Sequence, residues 1–400
     1  MDISREISSR KVISVETVLL YCIQIATILA AILGILYLQV GFSGIAGTLI
    51  NYSRLLICLM DIFFLLIHYF RRGAMPLATI KVFLILLYVL SVAFFIYRPG
   101  TILVISNMFP WPLTYLVFFA YTKDKELPKS FRYTVAAGVL ICGVLFIRTL
   151  LTRYSKESNI GSVYQVVVYL PLILLLFGKN GKLVFSVFTT LLLIASTKRA
   201  GLLAIAAGFC GYFVLTAAQQ GTLKKRLKSI IGITVGGVVC LAAVLYYIEA
   251  TNSKILDRLA NISEDGGSGR TEMWMQILSS FHASSMTQKL FGHGFHAVPY
   301  LIKPFGQNVY AHNSYIEFLY DLGIVGLAFL ICIVVDMVRF LLRLIKEKNP
   351  LAPSAFFAMC IVLMFSMVSY WFEESGTIMM VAIYWGIARG SYARILSSGG

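Results

Sequence analysis

Charge is scarce in this chain. Only 13% of its 400 residues are Asp, Glu, Lys or Arg, against about 25% in an ordinary soluble domain, so a normal water-facing globular surface cannot be assembled. Disulfide and metal frameworks are missing as well. All seven cysteines (Cys22, Cys58, Cys142, Cys210, Cys240, Cys332 and Cys360) fall inside apolar stretches, and no metal-ligand spacing occurs. There is no soluble domain and no internal repeat of fixed period. The first apolar run is too long for a signal-peptide core, lacks a small-residue cleavage site, and reads as a retained anchor. A single basic surface is lacking too: the formal charge of +16 is spread over many short loops, which argues against nucleic acid as a partner.

What is present is apolar surface. Hydrophobic residues make up 59% of the chain and the mean hydropathy is +0.83. About 20 consecutive apolar residues carry a helix across the hydrocarbon core. Stretches that approach this length lie at 15–38, 50–70, 80–97, 101–121, 133–151, 163–178, 182–196, 201–217, 229–248, 316–342, 352–371 and 375–393. The expected fold is an all-α polytopic membrane protein of about twelve transmembrane helices, a single integral membrane domain over 1–400. The stretch at 182–196 is short and that at 50–70 is polar, which leaves ten or eleven spans open. About two-thirds of the Lys and Arg fall on one side, including Arg71, Arg72, Lys224, Lys225, Arg226, Arg343 and Arg394. By the positive-inside rule that side is cytoplasmic, with both termini on it. One large loop, 249–313, joins the ninth and tenth spans and faces outward.

This loop begins with an amphipathic segment at 254–259, broken by the turn Glu264-Asp265-Gly266-Gly267-Ser268-Gly269. Arg270 opens a helical pattern with Met273, Trp274, Ile277 and Leu278 on one face. That face is expected to lie on the membrane surface, with Trp274 at headgroup depth. The loop then runs through Gly292-His293-Gly294 into the junction Ala311-His312-Asn313-Ser314-Tyr315.

Three blocks in this order resemble the O-antigen ligase and polymerase superfamily. They are Ser196-Thr197-Lys198-Arg199-Ala200-Gly201-Leu202-Leu203, then Ser268-Gly269-Arg270 followed by Trp274, then Phe291-Gly292-His293-Gly294 leading to His312-Asn313-Ser314-Tyr315 with Gly323 and Gly326. The resemblance covers roughly 165–345. It implies a GT-C-like glycosyltransferase of the bacterial inner membrane, without a cofactor, active on the outer face. It also implies undecaprenyl-pyrophosphate-linked oligosaccharides as substrates, and membrane lipid and a chain-length regulator protein as candidate partners. The Wzy-type polymerase branch carries an outer-loop arginine followed by a glycine after ten residues. Here Arg199 is followed by Gly211 after eleven, and Arg270 has no such glycine, so that pattern does not carry over.

Transfer from a polyprenyl pyrophosphate asks for charge neutralisation at a good leaving group and for a base at the attacking hydroxyl. Arginine forks suit the first need, and histidine suits the second, giving typically about 10²–10⁴-fold. Arg199 and Arg270 are therefore candidates for the donor pyrophosphate and His312 for the acceptor hydroxyl. Bland alternatives stand beside each one. Lys198 and Arg199 can snorkel to headgroups, Arg270 can cap or solvate its helix, and His312 can cap the next helix with Asn313. His293 and His296 flank a glycine-rich turn that reads as a flexible substrate loop or a plain loop. Glu317 and Asp321, four apart on one face, can orient His312, replace it as base, or line a wet cavity. Asn313 and Tyr315 join His293, Lys198 and Glu317 as candidate substrate contacts. Arg148 and Arg153, at an outer helix end, are candidates for a second pyrophosphate.

Elsewhere, Asp61 is expected to pair with a basic neighbour, and Asp336 with Arg339. Glu264 and Asp265 sit in a glycine-rich turn, so a metal-free mechanism is expected. Together these features point to a polysaccharide polymerase. The alternatives are a ligase that transfers finished glycan to lipid A core, and a flippase for lipid-linked sugars, although transporters usually show two related halves.

Overall fold

In a bilayer every backbone N–H and C=O must be satisfied within the chain, which leaves helices for a sequence of this kind. The computed structural model describes residues 14–40, 45–73, 75–96, 101–153, 161–196, 198–221, 224, 270–302, 310–369, 371–373 and 375–398. Every regular element among them is helical. In chain order they are α1 (Val15–Val40), α2 (Ile45–Arg72), α3 (Leu77–Phe95), α4 (Thr101–Met108), α5 (Pro110–Asp124), α6 (Phe131–Arg153), α7 (Tyr164–Val167) and α8 (Leu170–Leu176). There follow α9 (Lys179–Ala195), α10 (Arg199–Ala218), α11 (Arg270–Ala283), α12 (Met286–Phe291), α13 (Ala297–Ile302), α14 (Ser314–Lys346), α15 (Ala352–Val368) and α16 (Ser375–Ser398).

Each expected apolar stretch coincides with a helix or a pair of helices, except 229–248, which lies outside the described residues along with Cys240, Glu264 and Asp265. Among the described residues five helices are long and apolar enough to cross a membrane: Val15–Tyr37, Gly47–Arg72, Phe131–Thr152, Arg199–Ala218 and Ser314–Lys346. Two expected spans are broken by proline, which lacks an N–H and fits only the first turn of a helix. Pro110 and Pro112 open α5 after α4 has ended, and Pro171 opens α8 two residues after α7. Cys22, Cys58, Cys142, Cys210, Cys332 and Cys360 are all free thiols.

One apolar core runs through the bundle, with Phe64, Phe118, Phe146, Tyr169, Phe357 and Tyr384 fully or almost fully buried. Several buried charges meet neighbours from other segments. Glu16 of α1 meets Lys125, and His68 of α2 bridges Glu16 Oε1 (3.4 Å) and Asp124 Oδ2 (3.2 Å), with Arg72 also on Asp124. Arg54 donates to Asn107 Oδ1. Two expected pairings are corrected. Asp61 accepts from the Thr114 hydroxyl of α5 at 2.7 Å, and among the described residues it forms no ion pair with a base. Asp336 pairs with Arg389 at 2.6 Å across to α16, not with Arg339, whose side chain is exposed.

A second, smaller core sits beside the start of α14. Met273 and Ile277 of α11, Ala297, Val298 and Ile302 of α13, and Ala311 and Tyr320 form it, with Trp274 packed against them. The apolar face of α11 is thus turned into protein rather than laid on lipid, and Leu278 is left exposed.

Candidate active site

The site is built on the chain just before α14. Asn313 caps that helix: its side-chain oxygen accepts from the N–H of Tyr315 (3.0 Å) and Ile316 (3.3 Å), a contact usually worth ~1 kcal/mol. Immediately upstream, Ala311 is held from both sides. Its N–H donates to Glu317 Oε2 at 2.7 Å, and its carbonyl accepts from the Trp274 indole N–H at 2.7 Å. Between these fixed points His312 adopts φ 51°, a left-handed backbone that costs an L-residue roughly 1–2 kcal/mol. The brace and the cap hold that turn in place. Glu317 is fully buried, and its Oε2 holds the backbone next to His312.

Glycines explain the block around His293. Phe291-Gly292-His293-Gly294 runs against the chain at Tyr320–Gly323, with His293 N–H on Tyr320 O and Gly294 N–H on Asp321 O, both 3.0 Å. Gly292 (φ 85°) and Gly323 (φ 71°) approach so closely that a Cβ on Gly292 would lie 2.1 Å from Asp321 O, and one on Gly323 2.3 Å from Leu290 O. Gly323 also breaks α14, separating 314–322 from the rest of the helix. Asp321 Oδ1 accepts from the N–H groups of Ala297 (3.0 Å) and Val298 (3.1 Å), fixing the start of α13. His293 stacks on Tyr320 (4.1 Å, 5°), with Nδ1 3.1 Å from Tyr320 O and Nε2 2.8 Å from Ser284 Oγ. Both ring nitrogens are therefore engaged, and the segment is tied to the start of α14. His296 lies beside it, φ 59°, with Nδ1 3.2 Å from the Tyr310 hydroxyl.

Cations gather around the His312 turn. Arg199 is the first residue of α10, and Lys198 immediately precedes it without a side-chain cap. Arg270 is the first residue of α11. Lys198 Nζ sits 5.9 Å from the centre of the Tyr164 ring, a cation–π distance. Burial, followed by the charges of Arg270 and Lys198, pushes His312 down to about 4, so the imidazole is neutral near pH 7. Burial also lowers the Arg270 guanidinium from its usual value, with Tyr164 opposing and Arg199 adding to the effect; arginine nevertheless keeps its charge. The N-termini of α10, α11 and α14 thus lie within electrostatic reach of one another. Helix N-termini carry a partial positive charge and attract anions.

Lys198, Arg199, Arg270 and His312 are brought together, with Asn313 and Glu317 as supports. Tyr315 turns elsewhere and takes a hydrogen bond from Ser366 (3.2 Å). Arg148 lies near the end of α6 and Arg153 ends it; Arg148 is not among the groups that perturb Arg270 or His312. Tyr164 is the member that sequence reasoning missed, since a tyrosine at the edge of an apolar run carries no distinguishing signal. Among the described residues no group of three or more His, Cys, Asp or Glu is placed to hold a metal ion.

Four polar residues from separate blocks meet in one place, and a comparison with known families falls on those same blocks. Residues 184–331 match the O-antigen ligase family model. The match covers less than half of the chain and contains Lys198, Arg199, Arg270, His293 and His312, while Arg148, Arg153 and Tyr164 lie outside it. No curated protein matches the chain. That family covers O-antigen ligases and polymerases, glycosyltransferase-like enzymes acting on polysaccharide, and the match does not separate ligase from polymerase.

Proposed function

We propose that the chain is a polysaccharide polymerase of the inner membrane, GT-C-like in architecture, with the His312 turn on the outer face and both termini in the cytoplasm. It moves a growing glycan from one undecaprenyl pyrophosphate to a new undecaprenyl-pyrophosphate-linked repeat unit. The observation that carries this reading is the approach of Lys198 and Arg270 to His312, with Arg199 beside Arg270, where the N-termini of α10, α11 and α14 come near one another.

In the reaction, the bond from the glycan's anomeric carbon to the pyrophosphate oxygen breaks and the oxygen keeps the electron pair. Arg199 and Arg270 bind the departing charge, joined by Lys198. The acceptor hydroxyl forms the new bond to the anomeric carbon and gives its proton to the His312 imidazole. An imidazole held at about 4 by burial and then by the Arg270 and Lys198 charges is a weak base before the donor binds. The donor's negative charge offsets those cations and raises its proton affinity when it is needed. Tyr164 shields and orients Lys198. The second, acceptor pyrophosphate is assigned to Arg148 and Arg153, and a chain-length regulator is the expected protein partner.

The test is glycan laddering in a deletion strain of the host. Loss of the gene should leave a single repeat on core lipid, and the parental chain should restore the ladder. Well-expressed His312→Ala and Arg199→Ala variants should fail to restore it. Bare core lipid in the deletion strain would reassign the protein as a ligase. Full ladders from both variants would overturn the roles given to these residues.

A further inference from the structure

A cavity of about 580 Å³ runs beside α14, well away from the catalytic cluster over most of its length. Its walls come from α3, α5, α14 and α16, and its body is apolar, represented by Ile85, Val89, Leu330 and Trp385. One end reaches Phe318 and Phe372, close to the His312 turn. The opposite end carries Lys81, Arg339 and Arg389, with Asp336 as the sole acidic lining residue. Arg389 is committed to Asp336 (2.6 Å). Lys81 and Arg339 are exposed, and among the described residues neither forms an ion pair. Lys81 follows the basic pair Arg71-Arg72 by one short connection, and Arg343 and Lys346 lie just beyond Arg339 on α14.

This is an amphipathic arrangement: a slot of hydrocarbon character along two helices, closed at the end remote from His312 by two uncommitted cations. On the reading proposed above, a lipid-linked sugar has its charge at the His312 end, and its phosphates do not reach Lys81 and Arg339. A lipid whose phosphate lies in the opposite leaflet meets them directly. We propose that the groove is a specific site for an anionic phospholipid of the leaflet opposite the catalytic cluster, with its phosphate on Lys81 and Arg339 and an acyl chain along α3 and α14. Electrostatic attraction supplies the headgroup preference, at about 1 kcal/mol per basic residue near the surface, and apolar burial supplies the rest.

Native mass spectrometry of the full chain in detergent tests this without measuring glycan transfer, so it stands or falls separately from the polymerase reading. Dioleoyl phosphatidylglycerol, dioleoyl phosphatidylcholine and undecaprenyl phosphate are titrated in turn. Phosphatidylglycerol should bind in preference to phosphatidylcholine, and the K81Q/R339Q double variant should weaken it about 30-fold. Val335 lines the same groove and is 38% exposed; a V335W variant should reduce phosphatidylglycerol binding by filling the slot. Equal binding of the two phospholipids overturns the proposal, as does unchanged phosphatidylglycerol binding in either variant. Preferential binding of undecaprenyl phosphate, insensitive to Lys81 and Arg339, also overturns it and marks the groove as a path for the substrate's tail.

Discussion

Replacing Trp274 by Phe is the most direct probe of how the candidate site is held. The ring and its packing are retained, and one indole N–H is removed from the fully buried Ala311 carbonyl. Leaving such an acceptor unpaired costs about 1–3 kcal/mol. Against this stand the Glu317 bond to Ala311 N–H, at ~1 kcal/mol net, and the Asn313 cap, also ~1 kcal/mol. The left-handed backbone of His312 takes back roughly 1–2 kcal/mol. The turn therefore loses most of its margin and spends a large part of its time misplaced. Turnover should fall about tenfold or more, while the helical fold persists and Tm moves by only a few degrees. The assay is lengthening of a lipid-linked repeat unit by purified protein, read beside a thermal melt. His312→Asn is its companion, because Asn tolerates the left-handed region and removes only the imidazole. That variant should lose about 10²–10⁴-fold in rate with no loss of Tm. A fully active Trp274→Phe protein would show that the brace serves the outer fold alone. A His312→Asn protein with near-parental turnover would remove the imidazole from the mechanism.

Two further predictions concern pH and packing. His296, by burial, and His312, by burial and then neighbouring cations, are both pushed down to about 4, below an ordinary value near 6.5. Their contribution to stability is therefore present above about pH 6.5 and lost as pH falls towards 4. Melts from pH 7.5 to 4 should show this drop, and a His296→Gln/His312→Asn double variant should flatten it; an equal slope in both proteins would refute the assignment. Gly323→Ala places a Cβ within 2.3 Å of Leu290 O at a positive φ, and should cost more than about 4 kcal/mol. Gly178→Ala meets nothing within 4 Å and should leave Tm nearly unchanged.

Much of this was legible in the chain itself, because lipid imposes strong rules. Apolar stretches have to be helices, and polar blocks that interrupt them stand out, which marks Lys198, Arg199, Arg270 and His312 as candidates from the chain alone. What stayed hidden depended on contacts between distant segments. Asp336 has Arg339 one turn away, yet its partner is Arg389, 53 residues on, where α16 crosses. An apolar face on α11 reads the same whether it meets headgroups or a small protein core, so the fate of Trp274 could not be inferred. Likewise Glu317 and Asp321 announced only a shared face. That each holds backbone N–H groups of another segment follows from a chain reversal that no local pattern encodes.

The break at Gly323 has an effect beyond the packing it permits. Each residue added to a continuous helix turns everything after it by about 100° and lifts it 1.5 Å. Because 314–322 is locked to the Gly292 segment and separated from the remainder of α14 by a non-helical residue, changes of length beyond the break rotate the long span and leave His312 in place. The position of the His312 turn is therefore uncoupled from the length and rotation of the span that follows it.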